Sequence, residues 1–388
     1  MNVGRLTKFA FVLTIVALIA GFSACDQAQQ LLFPAPPTGD LSGEIPIGVV
    51  VALTGRFADE IGIPMLHGFE LARYEINHSG MLGSAKITFI TEDDQSVSSV
   101  GAFNKLIHQD GVSAITGLAI SGQAIHSFPI AQENGVVCFS SVSSASGLSA
   151  IGDFIFRAGL TIDILNPSGV RITQEKLGYT TAATLYDESD LYSTSSHEGF
   201  QAALAANDVE VVATETFQSG DTDFSAQLAR IRDANPEAIF VSTLPPEMPL
   251  ILTQGRELGI PDSVPFILPE IAIEQVAAAG DAAEGVITFI GWSSLAATTG
   301  NEAFLQNYTE KFGMEPNAWA AQSYATLRIL AAAIAEAQST DSVAIRDALA
   351  NTMDMDTILG QFSFDAHGDA VYDPQILIVE DGEFAVFE

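Results

Sequence analysis

The sequence predicts an α/β fold made of two doubly wound, parallel-sheet units in series. Three observations predict it. Short, near-continuous apolar runs recur along the chain, as strands buried on both faces of a parallel sheet require. Each run is followed, after a polar loop, by a stretch of about 10–15 residues with helical apolar spacing. After "FIFRAG", residues 154–159, the same strand–helix rhythm begins again.

Residues 1–24 read as a removable leader. Arg5 and Lys8 form a basic start, and Phe9 to Ala20 is uncharged and apolar. That stretch is shorter than the ~20 residues a membrane-crossing helix needs. Small residues Ser23 and Ala24 then precede Cys25. "GFSAC" resembles the lipobox of bacterial lipoproteins, where a peptidase cuts before the cysteine and the thiol takes lipid. Phe22 stands where leucine is usual. Residues 25–43 then form a tether, with three prolines in "QAQQLLFPAPPTG". Cys25 and Cys138 are the two cysteines, so a lipidated Cys25 leaves Cys138 without a disulfide partner. Cys138 sits in an apolar run and reads as a small buried hydrophobe.

The first unit opens with the strand "IPIGVVVAL". Leu66, Phe69, Leu71, Ala72 and Ile76 follow at helical spacing, and Gly80 stops the helix. "KITFI" is the second strand. A helix carries Val100, Phe103, Leu106 and Ile107. "VSAITG" is the third strand, Gln123 to Asn134 a helix, and "VVCF" the fourth strand. The second unit runs through "TAATLY", a helix over Ser195 to Ala206, "EVVATETF", a helix over Phe224 to Asn235, "AIFVS", a helix over Met248 to Gly259, "PFILP" and "GVITFI". An alanine-rich helix over Trp319 to Gln338 and a short one over Ser342 to Asn351 come next. The chain ends in a hairpin in which "QFSFD" and "QILIVE" flank the turn "AHGD", with a second tight turn in "EDGEF".

In open α/β sheets ligands bind outside the carboxyl ends of the strands. The loops after "VVCF", "AITG", "TLY" and "FILP" are such ends. One of them holds Ser140, Ser141, Ser143, Ser144 and Ser146, a floor of small hydrogen-bonding groups for a ligand or a set of helix caps and turns. Asp93 and Asp94 are adjacent carboxylates after a strand and read as caps.

The chain has 388 residues, 48 acidic and 15 basic, for a net charge of −33. The acidity is a shortage of bases, a solubility adaptation that disfavours nucleic acid and anionic lipid headgroups. The sequence has no G-x-S-x-G elbow, H-E-x-x-H, P-loop or G-x-G-x-x-G. Histidines 67, 78, 108, 126, 197 and 367 lack metal-ligand spacing. The residues therefore predict no catalytic centre, metal or cofactor.

"IGVVVALTG", "ARYEIN", "TEDDQS", "ENGVV", "FRAG", "YDESDLY", "DFSAQLARIRDANPEAIFVS" and "FDAHGD" together resemble the leucine/isoleucine/valine-type solute-binding proteins of ABC transporters. These are type I periplasmic binding proteins, and the resemblance runs from Ile45 to Glu388. It implies two Rossmann-like lobes joined by three crossovers, near Gly159–Leu165, Phe289–Ser293 and Asp356–Gly360. Lobe 1 is expected over 44–162 with 292–357, and lobe 2 over 163–291 with 358–388. The implied function is capture of an amino acid, aliphatic or otherwise apolar, and its delivery to an ABC permease. The receptor is expected to be a monomer outside the cytoplasm, in the periplasm or at the cell surface, held to the membrane by its lipid.

Carried onto this chain, the resemblance places the ligand carboxylate on Ser121, Val142, Ser143 and Ser144. Glu270, in "FILPEIA", takes the ammonium, and Tyr192 covers the ligand's backbone. Leu244, and Glu60 with Ile61, stand where relatives often carry aromatics, so the side-chain pocket departs from theirs. The same fold binding an amide, a urea-like compound or an aromatic carboxylate is the alternative, and an extracytoplasmic hydrolase the weaker one.

Overall fold

The computed structural model describes residues 41–388; the leader, Cys25 and most of the tether lie outside them. The first sheet contains β1 (Glu44–Val51), β2 (Lys86–Asp93), β3 (Ala114–Gly117), β4 (Val137–Ser140) and β5 (Ile155–Arg157). Its order is β2–β1–β3–β4–β5, and every pairing is parallel. Helices α1 (Ile63–Ser79), α2 (Val100–Lys105) and α3 (Ser121–Asn134) connect these strands. All four residues of β4 are buried, which is why that strand is apolar without alternation. Cys138 lies within it, 1% exposed, and burial pushes its thiol pKa far up.

The chain then enters α4 (Ile162–Leu177) and a second sheet through β6 (Thr181–Asp187), α5 (Leu191–Ala206), β7 (Glu210–Phe217), α6 (Ser225–Asp233), β8 (Ala238–Ser242), α7 (Met248–Glu257), β9 (Phe266–Pro269), α8 (Ile273–Ala279) and β10 (Ile287–Ile290). The parallel part repeats the first sheet's order, as β7–β6–β8–β9–β10. Helix α5 starts four residues earlier than its apolar spacing predicts. Asp190 caps it by accepting from the Ser193 N–H at 2.9 Å, which brings Tyr192 into the first turn.

After β10 the chain returns to the first sheet's side through α9 (Asn301–Phe312), α10 (Ala318–Ala337) and α11 (Ser342–Ala350). Helix α10 is buried around most of its circumference, as a helix apolar on all sides must be. It lies against α1 so closely that a methyl group on Gly68 would sit 2.0 Å from the Ala320 carbonyl oxygen.

The carboxyl-terminal region departs from the expected hairpin. β11 (Met355–Thr357), β12 (Gly360–Phe364) and β13 (Ala370–Val371) form a small antiparallel sheet in which "AHGD" turns β12 into β13. β14 (Gln375–Glu380) pairs instead with β10 and, across "EDGE", with β15 (Glu383–Val386). The third passage between sheets accordingly comes at residues 372–374, later than the expected 356–360. The physical reason is aromatic burial. Phe364 packs its ring 5.4 Å from Phe139 and 5.1 Å from Phe156, which holds residues 358–371 beside the first sheet.

The three passages meet at one place. The Tyr372 hydroxyl, on the third, donates to the Ala158 carbonyl on the first at 3.1 Å. Gly291, on the second, lies against the same hydroxyl. Ser293 donates to the Gln375 side chain at 2.5 Å, tying the second to the third.

Candidate functional site

A cavity with about 400 Å³ of empty space, part of it continuous with solvent, lies between the carboxyl ends of the two parallel sheets. Its lining comes from the loops after β1 (Ile61), β3 (Ala119, Ile120, Ser121), β4 (Val142, Ser144), β6 (Tyr192), β8 (Thr243, Leu244, Pro245, Met248) and β9 (Glu270), with Trp319 from the start of α10. In each sheet the strand order reverses beside β1 and β6. The cavity therefore occupies the crevice that a doubly wound sheet opens at its switch point.

One wall is polar. Ser121 begins α3, and its Oγ accepts from the Ala145 N–H at 3.2 Å. The first N–H groups of a helix have no intrahelical partner and carry the positive end of its dipole, so this wall favours an anion. Across the gap, the Ser144 hydroxyl donates to Glu270 Oε2 at 3.2 Å.

Glu270 is 9% exposed and has a left-handed backbone, with φ of 59°. That conformation is uncommon for a residue with a Cβ. It is held by the Glu270 N–H donating to the Phe289 carbonyl at 3.1 Å. Burial raises the carboxyl pKa from the ordinary 4.5 to about 7, while Ser144 and Tyr192 oppose the shift by stabilising the charged form. The Tyr192 hydroxyl is buried beside Glu270 without a well-formed hydrogen bond. Burial and the neighbouring carboxylates hold its pKa well above the usual tyrosine value.

The rest of the lining is largely apolar: Ile61, Leu244, Pro245, Met248 and Trp319. Further contacts span the cleft outside the cavity. Arg56 pairs with Glu247 at 2.6 Å, the Ser146 N–H donates to Ser195 Oγ at 3.0 Å, and Asn317 donates to Glu274 at 3.3 Å. The cleft is closed in this structure.

Six of the seven residues expected at a ligand line the cavity: Ser121, Val142, Ser144, Tyr192, Leu244 and Glu270. Ser143 does not. Its Oγ is paired with Ser140 Oγ at 2.7 Å and its carbonyl accepts from Arg157, so it turns into the protein. A run of serines has no period, so the sequence gives no sign of which members face inward. Trp319, Met248 and Pro245 were not anticipated. The last two follow β8 directly, a position that signals a cleft, whereas Trp319 arrives from a helix far along the chain. Asp93 and Asp94 cap turns: Asp93 accepts from the Leu53 and Gln95 N–H groups at 2.9 and 2.8 Å, and Asp94 from the Ser96 N–H at 2.8 Å.

Comparison with known proteins agrees with this geometry. A family model described as periplasmic binding protein matches residues 44–382. The leucine-, isoleucine-, valine-, threonine-, and alanine-binding protein of Pseudomonas aeruginosa is 25% identical over 331 residues, covering 84% of this chain and 87% of its own. The crystal structure of a leucine-binding protein from Thermotoga maritima superposes with a TM-score of 0.82 at 25% identity, over 89% of this chain and 98% of that one. A branched-chain amino acid transporter substrate-binding protein from Streptococcus pneumoniae, in complex with isoleucine, gives 0.81 at 27% identity over 88% and 98%. With its two sheets, three crossings and a cavity at both switch points, the chain belongs to the periplasmic binding protein family.

Proposed function

We propose that this protein is an extracytoplasmic receptor that captures an apolar amino acid between its two sheets and hands it to an ABC permease. The observation that carries this reading is a cavity lined by Glu270, by the Ser121 and Ser144 loops that meet it through the Ser144–Glu270 hydrogen bond, and otherwise largely by apolar side chains. A zwitterion satisfies both ends. Its carboxylate meets hydroxyls and helix-terminal N–H groups, and its ammonium supplies the partner that a buried carboxylate needs. Its side chain rests on Leu244, Met248 and Trp319, where burial of a leucine-sized group contributes about 1.5–3 kcal/mol. The branched-chain ligands named for the relatives support this choice of substrate.

Contacts made by both halves exist only when the cleft is shut, so ligand shifts the population toward the closed form that a permease reads. The lobes in this reading are 44–162 with 292–357 and 163–291 with 358–388, amended so that 358–371 travel with the first. The receptor works as a monomer anchored through a lipid on Cys25, and it binds its ligand without turnover, metal or cofactor.

A thermal-shift panel of leucine, isoleucine, valine, leucinamide and benzoate on the mature chain tests the reading. A ligand at 100 times its Kd adds about 2.7 kcal/mol of stability. The expected result is a shift with at least one of the three amino acids and none with benzoate. A shift with leucinamide or benzoate, without one from the free amino acids, replaces this reading with the amide or aromatic-acid alternative.

A further inference from the structure

We propose that Arg157, braced by Asp369, is a positioning residue for the ligand carboxylate. This deepens the function proposed above and rests on it. Arg157 is the only lysine or arginine among the described residues that is fully buried. Removing a guanidinium from water is costly unless every donor is engaged. Its Nε donates to Asp369 Oδ1 at 2.6 Å, and its Nη1 to the carbonyls of Ala145 at 2.6 Å and Ser143 at 3.3 Å. Asp369 is fixed in turn by the "AHGD" turn, where its N–H donates to Asp365 Oδ1 at 2.9 Å.

Peptide planarity makes these two carbonyl contacts decisive. In a trans peptide the C=O and the next N–H point in opposite directions. Drawing the Ser143 and Ala145 carbonyls into the protein therefore turns the Ser144 and Ser146 N–H groups the other way. For Ser146 the result is visible, since its N–H reaches Ser195 across the cleft. The Ser144 N–H donates to no group among the described residues and belongs to a residue that lines the cavity. A guanidinium behind the loop thus sets the donors in front of it, and the "FRAG" and "FDAHGD" segments, 212 residues apart at the ion pair, act on one ligand group.

The test compares the mature wild type with Asp369→Asn, Arg157→Lys and the Arg157→Met/Asp369→Asn double variant. Calorimetry with L-leucine and L-leucinamide measures recognition of the carboxylate, and amide exchange of residues 143–146 measures the loop without ligand. The expected result is an affinity for leucine lowered about tenfold while leucinamide changes less than about twofold, with loop exchange faster by a similar factor. Lysine does not rescue, because one ammonium lacks the fork that reaches two carbonyls and a carboxylate. Equal losses for both probes, or an unchanged loop and an unchanged leucine-to-leucinamide ratio, overturn the proposal. A wild type that does not prefer leucine to leucinamide overturns it at its base, through the functional reading instead of the brace. Should the double variant fail to fold, Asp369→Asn retains both side-chain volumes and decides alone.

Discussion

At the scale of single residues, Glu270 is the group on which the chemistry of the cleft turns. It is paired with the Ser144 hydroxyl, and burial raises its carboxyl pKa to about 7 from the ordinary 4.5. Between those values the folded protein binds a proton that the unfolded chain does not. The Glu270 contribution to stability is therefore full below about 4.5 and is lost as pH rises through 7. Binding runs the other way. An ammonium selects the carboxylate, so below pH 7 binding expels the proton, and affinity falls by up to about tenfold per pH unit from 7 toward 4.5. Titration calorimetry at several pH values reads this slope. Glu270→Gln is expected to flatten it and to lower affinity about 100-fold, the scale for losing one partner of a buried charged pair. An unchanged slope in the glutamine variant refutes the assignment of the ammonium site.

At the scale of elements, helix packing leads to a second expectation. Gly68 on α1 sits under the Ala320 carbonyl of α10, with no room for a methyl group. Gly68→Ala is expected to destabilise the protein by about 1–3 kcal/mol, the usual range for overpacking, seen as a lower urea midpoint with an unchanged slope. A midpoint equal to wild type means that the two helices separate freely. The central strands of both sheets are legible because burial on both faces leaves unbroken apolar runs such as "VVCF", whereas the edge strands β2 and β7 are only partly buried and β5 is three residues long, too short for a pattern. Helix ends are less legible: α5 begins at a cap, Asp190, which lies outside its apolar pattern. "QFSFD" and "QILIVE" look like a hairpin because they are neighbours in sequence with a turn between them, whereas Phe364 packs on Phe139 and Phe156, about two hundred positions earlier. In the site, residues directly after strand ends could be read from position alone. The inward turn of Ser143 and the arrival of Trp319 depend on contacts distant in sequence, which no local pattern encodes.

At the scale of the whole molecule, the three passages between the sheets meet at one place, which the proposed closure would use as its pivot. A methyl group on Gly291 would lie 2.5 Å from the Tyr372 hydroxyl. Gly291→Ala is expected to disfavour the closed form and reduce ligand affinity about tenfold, and Tyr372→Phe on that background to restore part of it by removing the oxygen. Affinity unaffected by either change places the pivot elsewhere. The charge of −33 acts on the entire surface. Self-repulsion of this size is screened over about 10 Å at 0.1 M salt, so the melting temperature is expected to rise steadily between about 0.01 and 0.5 M sodium chloride. A flat profile means that the acidic groups are spaced widely enough not to interact. Finally, the burial of Cys138 makes the folded body silent to thiol reagents. In a chain that begins after residue 40, a single cysteine substituted for Ser195, 3.0 Å from the opposite lip of the cleft, would carry an environment-sensitive dye without background labelling. The protein would then report its own ligand as a change in colour or brightness.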